Sequence, residues 1–290
     1  MILRDILILV FGAIFSYLLG GISVARIITS RKKEGSIVNN GSGNPGTMNM
    51  LRTHGLVMGL STLFFDALKG ALPSLFGLLY YGSYGEKTAY MALFVFGFFA
   101  VIGHIFPVYY KFKGGKGIAT TLGVFVVADP LTTAILFAIL FVTLYFIKIS
   151  SVVSLLFITI NAIVQLFRSY SRANWIVIIL MVAMVLVDIV AHKQNLIRLI
   201  DDKENTADLH EGLIKDIEKL KNKKKQKLEK NTEKKKKINE KYERKIAKKH
   251  EEVEKKLAKM NAIQEVQSEQ GEPVDVKKEQ VDTSKNSRKK

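Results

Sequence analysis

Six apolar stretches fill most of the first 190 residues, at 6–28, 56–81, 88–110, 118–147, 150–167 and 174–190. A helix needs roughly 20 predominantly apolar residues to cross about 30 Å of hydrocarbon. Five of the stretches come near or exceed that length, which makes the chain an all-α polytopic membrane protein. The stretch 118–147 is too long for one ordinary span and contains Asp129-Pro130. Proline removes a backbone donor and strains the turn before it, so a break is expected there. A short arm then runs to about Ala128 and a second helix returns from Leu131.

Charge divides the chain in two. Residues 1–200 carry 16 Lys or Arg and 6 Asp or Glu, and the last 90 residues carry 27 and 20. The expected domains are a membrane domain at 1–208 and a lysine- and glutamate-rich tail at 209–290. Within the tail, residues 211–262 show helix-compatible spacing, and the last 25 or so have the composition of a disordered segment. The tail reads as a solvated extension, with attraction to anionic lipid as the other reading and no nucleic acid expected. The chain has no cysteine, which excludes disulfides and thiolate chemistry. The first apolar run is too long for a cleavable signal and lacks a small-residue exit.

Basic residues cluster in the connections 29–55 and 111–117 and in the tail, so these are expected on the cytoplasmic side, with the N-terminus outside. Seven crossings satisfy this scheme if 118–147 counts as two. The scheme leaves Arg168 and Arg172 outside, against the charge rule.

Three polar inserts then share one face. The first, "NNGSGNPGTMNMLR", gathers Ser42, Asn44, Thr47, Asn49 and Arg52 around Gly41, Gly43 and Gly46. Asn and Gly suit a plain loop, but glycines also let backbone N–H groups approach an anion, and arginine offers a fork for phosphate. The second, "KFKGGKGIATT", sets Lys116 among Gly114, Gly115 and Gly117, with Lys113 and Thr120 on either side. It is not a Walker A motif. A basic juxtamembrane turn explains Lys111 and Lys113, whereas glycines and a lysine before a helix start suit a phosphate. The third, "HKQNLIRLIDDKEN", places His192, Asn195 and Arg198 at one-turn spacing, followed by Glu204. Taken by itself it is best explained by an interfacial histidine and a cytoplasmic arginine; a neutral histidine beside phosphates and a hydroxyl could also serve as a base or hydrogen-bond donor.

Inside the spans, Asp66 and Lys69 lie at i and i+3, where buried charges should pair structurally. His104 reads as packing or gating. The acids near the inserts, Glu34, Asp201, Asp202 and Glu204, form no carboxylate cluster, so no metal site is expected and a metal-dependent phosphotransferase is disfavoured.

Taken in order, "GSGNPGTMNMLR", "FKGGKGIAT" and "HKQNLIRLIDDKE" resemble the three signatures of the bacterial membrane glycerol-3-phosphate acyltransferases that use acyl phosphate, the PlsY type. "DALKG" and "GHIFPVYYKF" are similar to further segments of that family. The resemblance covers about the first 205 residues. There are three departures: Met48 stands where a threonine is usual, Asp202 where a glycine is usual, and "GGIS" where "GSIP" is usual.

The resemblance implies a seven-helix fold in a bacterial plasma membrane, with no cofactor. It also implies acyl transfer from acyl phosphate to the sn-1 hydroxyl of glycerol 3-phosphate. By the same resemblance, Ser42, Arg52, Lys116, His192 and Asn195 carry the chemistry. Gly41, Gly43, Asn44, Gly46, Asn49, Lys113, Gly114, Gly115, Gly117, Thr120 and Arg198 hold the two substrates. Asp66, Lys69 and Glu204 are structural. Competing classes are a multi-span transporter for an anionic solute, which should show polar residues at mid-span, and an inert anchor, which leaves the inserts idle. The acyl-CoA class is set aside because no histidine has an aspartate five positions later.

Overall fold

A computed structural model describes residues 3–32, 36–169, 172–206 and 208–269. Among these the regular structure is helical. In chain order the α-helices are α1 Leu3–Gly20, α2 Val24–Lys32, α3 Thr47–His54, α4 Leu56–Tyr80, α5 Glu86–Ile105, α6 Ile118–Ala128, α7 Pro130–Ile147, α8 Ser150–Arg168, α9 Trp175–Ala191, α10 Lys193–Ile200 and α11 Leu209–Glu269. The disorder expected for the last 25 residues falls almost wholly on 270–290, outside the described residues.

Five helical stretches are long and apolar enough to cross a membrane, and α9 with α10 forms a further, bent pair broken by 52° at His192. The 11-residue α6 is apolar but shorter than a spanning helix. The expected break falls at Asp129, whose side chain caps α7 by accepting from the Thr132 amide at 3.2 Å. Three boundaries differ from expectation. The first run is interrupted over 21–23, because Gly20 and Gly21 are followed by Ser23, whose hydroxyl accepts from the Arg26 amide. The third helix stops at Ile105, since Pro107 cannot continue it. Residues 47–54 of the first insert are a two-turn helix rather than loop.

α5 is the most enclosed span and packs against α1, α4, α6 and α9. Lipid tails are as apolar as leucine, so close packing rather than water exclusion holds such helices together. Two reciprocal glycine contacts show how. At the α1–α5 crossing Gly20 lies on the Ala100 carbonyl and Gly103 on the Tyr17 carbonyl, with no room for a Cβ at either. At the α4–α6 crossing Gly70 lies on the Thr120 carbonyl and Gly123 on the Ala67 carbonyl.

Several charged groups of the bundle pair locally. Lys69 and Asp66 form a buried ion pair at 2.8 Å, and Lys69 Nζ also donates to the Ile22 carbonyl at the break after α1. Arg168, anomalous under the charge rule, donates Nε to Asp129 at 2.6 Å, and Arg172 lies over the Tyr90 ring. Both arginines therefore have local partners that explain their position.

The chain forms two compact units, Met1–Lys221 and Asn222–Lys290. The second is the exposed continuation of α11, with i,i+4 pairs such as Glu233–Lys237 and Glu251–Lys255. Such pairs add a few tenths of a kcal/mol each to a helix that buries no face. The tail's first turns behave differently and belong to the first unit. There Lys215 and Lys219 donate to the carbonyls of Arg52 and His54.

Candidate active site

The three inserts converge at the end of the bundle where α5 stops and α6 starts. In the first, Asn49 is buried and spends its amide on the loop itself. It accepts from the Ser42 amide at 2.9 Å and donates to the carbonyls of Ile37 and Asn40. Gly41 has φ +59°, and a Cβ there would collide with the Asn49 side chain. Asn49 thus holds the loop that presents Ser42 and Asn44, and the first turn of α3, from Thr47, lines the same cavity.

In the second insert the glycines serve packing more than ligand contact. The amides of Gly114 and Gly115 are taken by the carbonyls of Ile105 and His104. A Cβ on Gly115 would strike the His104 ring, and one on Gly117 would strike Asp188. This tight fold corrects the expectation that the whole glycine run offers its N–H groups to phosphate. It carries Lys116 inward, where Nζ donates to Asn195 Oδ1. Arg26 braces the loop from α2, donating to the Lys113 carbonyl at 2.8 Å and stacking on Tyr110.

The third insert is clasped by Glu204. Its carboxylate accepts from Asn195 Nδ2 and from Arg198 Nε. Burial pushes this carboxyl up, but the hydrogen bonds and the Arg198 charge prevail and hold it below its usual value. Asp202, at φ +54°, makes the left-handed turn that sets Glu204 in place. The departure from glycine therefore leaves the clasp intact.

Arg52 lies in the last turn of α3 and crosses to the third insert. Its Nε donates to the Thr206 carbonyl at 2.7 Å and Nη2 reaches Asn205 and Ser150. Burial lowers its pKa, with Glu204 opposing and Arg198 adding to the shift. Burial also lowers Lys116 to about 8, against the pull of Glu204 and with Arg198 and Arg52 reinforcing it. His192, in the bend between α9 and α10, is lowered by burial to about 4 and stays neutral. Its Nδ1 meets the Asp188 carbonyl at 2.7 Å, which assigns the ring proton there and leaves Nε2 as an acceptor.

One cavity joins these groups. Ser42, Asn44, Arg52, Lys116 and His192 line it together with Asp66, His104 and Ser150, and Leu63, Leu122, Phe137, Leu140, Phe141 and Phe157 supply much of its apolar wall. Met48 lines it too. Not every expected contact is there. Thr120 is fully buried at the α4–α6 crossing, because its neighbour Gly70 draws that turn inward. Lys113 is exposed, with its carbonyl on Arg26, and Arg198 faces Glu204.

Two contributors escaped the sequence reading, Arg26 and Asp188. Each is a lone charge in an apolar run, and Asp188 stands four residues before His192. Its Oδ2 accepts from Thr121 at 2.8 Å while its carbonyl holds the histidine.

An all-helical integral membrane protein with a cationic, neutral-histidine site opening into an apolar cavity is the class this architecture defines. Residues 10–202 match the family described as glycerol-3-phosphate acyltransferase. A glycerol-3-phosphate acyltransferase of Finegoldia magna is 36% identical over 199 residues, covering 69% of this chain and 96% of the relative. One from Syntrophotalea carbinolica is 35% identical over 190 residues, covering 66% of this chain and 93% of the relative. Among solved structures, the glycerol 3-phosphate form of PlsY (YgiH), an integral membrane glycerol 3-phosphate acyltransferase, superposes with a TM-score of 0.61 at 30% identity. It covers 68% of this chain and 94% of that one. The chain belongs to the glycerol-3-phosphate acyltransferase family.

Proposed function

We propose that this protein transfers an acyl chain from an acyl phosphate to the sn-1 hydroxyl of glycerol 3-phosphate. The products are 1-acyl-sn-glycerol 3-phosphate and inorganic phosphate. The observation that carries this reading is the single cavity with a cationic polar end and an apolar remainder. Both substrates have a phosphate to neutralise, and one has a chain to shelter. A passage for an anionic solute would need a polar lining throughout, whereas this wall is mostly apolar, with Asp66, His104, Ser150, Ser151 and Ser154 set among leucines and phenylalanines.

In this reading Arg52, Ser42 and Asn44 hold glycerol 3-phosphate, and Lys116 meets the acyl-phosphate head. The attacking oxygen forms an ester bond with the acyl carbonyl carbon. The bond from that carbon to the bridging oxygen breaks, and its electron pair leaves with phosphate. His192 Nε2 accepts the hydroxyl's hydrogen bond and aims it. At a pKa of about 4 the ring is a poor resting place for the proton. The departing inorganic phosphate, whose second ionisation lies near neutrality, is the better one. Positioning and charge neutralisation do the work, as suits a donor with a good leaving group.

The proposed setting is a bacterial plasma membrane with the N-terminus outside and the inserts and tail cytoplasmic, as the basic connections favour. The tail's lysines suit anionic headgroups, at about 1 kcal/mol for each one near the surface. The test is purified protein reconstituted with an acyl phosphate and labelled glycerol 3-phosphate. Lysophosphatidate should form, and Arg52→Ala should abolish most of it. A folded preparation that forms none refutes the proposal.

A further inference from the structure

The family match ends at residue 202, and the Finegoldia relative is 96% covered by 199 matched residues, so it has almost no chain left to supply a counterpart of α11. Yet the first turns of α11 are bonded to the helix that carries Arg52. α3 is only two turns long, and so short a helix is marginal on its own. Its last carbonyls and the first amides of α4 lack partners within their own helices. α11 supplies them. Lys215 Nζ donates to the Arg52 carbonyl at 2.7 Å and Lys219 Nζ to the His54 carbonyl at 2.8 Å. Between them Asp216 Oδ2 accepts from the Val57 amide at 2.9 Å. Cations thus meet a helix C-terminus and a carboxylate meets a helix N-terminus, the favourable sense at both ends.

The fit is close. Gly55, the joint between α3 and α4, has φ +96°, and a Cβ on it would occupy the Asp216 carboxylate. Gly212 lies against Leu51 and the Leu56 amide. The segment leading into α11 meets the other end of the same arginine, through the carbonyls of Asn205 and Thr206.

We propose that Lys215, Asp216 and Lys219 are positioning residues for Arg52, a strap outside the matched family segment that sets the arginine for the phosphate of glycerol 3-phosphate. The strap acts on the arginine's main chain, so it governs acceptor binding and leaves donor chemistry alone. This rests on the functional reading above.

The test is the full-length Lys215→Ala/Asp216→Ala/Lys219→Ala variant, assayed with both substrates varied. KM for glycerol 3-phosphate should rise about tenfold, the scale of one charge-assisted hydrogen bond, with kcat and the acyl-phosphate KM within about twofold. Lys215→Arg, which keeps a donor, should stay near wild type, as should Lys237→Ala in the second unit. If the triple variant does not fold, Lys215→Ala and Lys219→Ala alone should each show a smaller rise in the same constant. An unchanged KM, or a fall in kcat alone, overturns the strap. A wild-type protein with no turnover overturns the functional reading instead, so the two failures are distinct.

Discussion

Lys116 should make donor binding unusually sensitive to mild alkali. An ordinary lysine titrates near 10.4 and is fully charged across the neutral range. Burial, with Arg52 and Arg198 nearby, brings Lys116 down to about 8 in the free protein. About 90% of it is then charged at pH 7 and about 10% at pH 9. A bound phosphate favours the ammonium, so affinity is greatest below the free pKa and is lost as pH rises through it. Between pH 7 and pH 9 the KM for acyl phosphate should therefore rise about tenfold, or ~1.4 kcal/mol. Both substrate phosphates have ionised by pH 7, and His192, at about 4, does not titrate in this window. The assay is initial-rate formation of labelled lysophosphatidate at several pH values, corrected for spontaneous donor hydrolysis. The effect should fall on kcat/KM, because the bound anion holds the lysine charged. Lys116→Arg keeps its charge and should flatten the KM profile whatever it does to kcat. A flat wild-type profile to pH 9.5, or the same rise in Lys116→Arg, refutes the argument.

Two further outcomes follow from the clasp of the third insert. Asp202 occupies a left-handed turn, which costs an L-residue about 1–2 kcal/mol and glycine nothing, so after glycine's larger entropy loss Asp202→Gly should stabilise the protein by about 0.5–1 kcal/mol. Thermal unfolding in detergent reads this. Glu204→Gln keeps the shape but removes the charge that Asn195 and Arg198 share. It should cost about 1–3 kcal/mol of stability and lower turnover through the loosened Asn195–Lys116 contact, measured by unfolding and by rate.

Much of the architecture was legible because apolar length is local information. The break at Asp129-Pro130 was visible for the same reason, since proline's missing donor acts wherever it stands. The interruption at 21–23 and the early end of α5 at Ile105 were less visible, because apolar residues run on past both points. The site divided similarly. Arg52, Lys116, His192 and Asn195 stood out as polar residues in signature order. Asn49, Gly114 and Gly115 stood out equally, yet the folded chain spends Asn49 on the main chain of Ser42, Ile37 and Asn40, and the two glycine amides on the carbonyls of Ile105 and His104.

The sequence by itself determined that the chain is a helical membrane bundle with three polar inserts and a charged tail. Hydropathy, proline and charge patterning act over a few turns and need no partner. Only the tertiary structure decided which polar groups remain for a ligand, because most buried polar groups take partners that packing brings to them from distant parts of the chain. It also decided where the catalytic unit stops. Composition sets the tail apart from residue 209, but Lys215, Asp216 and Lys219 bond to helix ends some 160 residues earlier in the chain. Residues that read as solvated charge become part of the active-site frame when a neighbouring helix end lacks partners of its own.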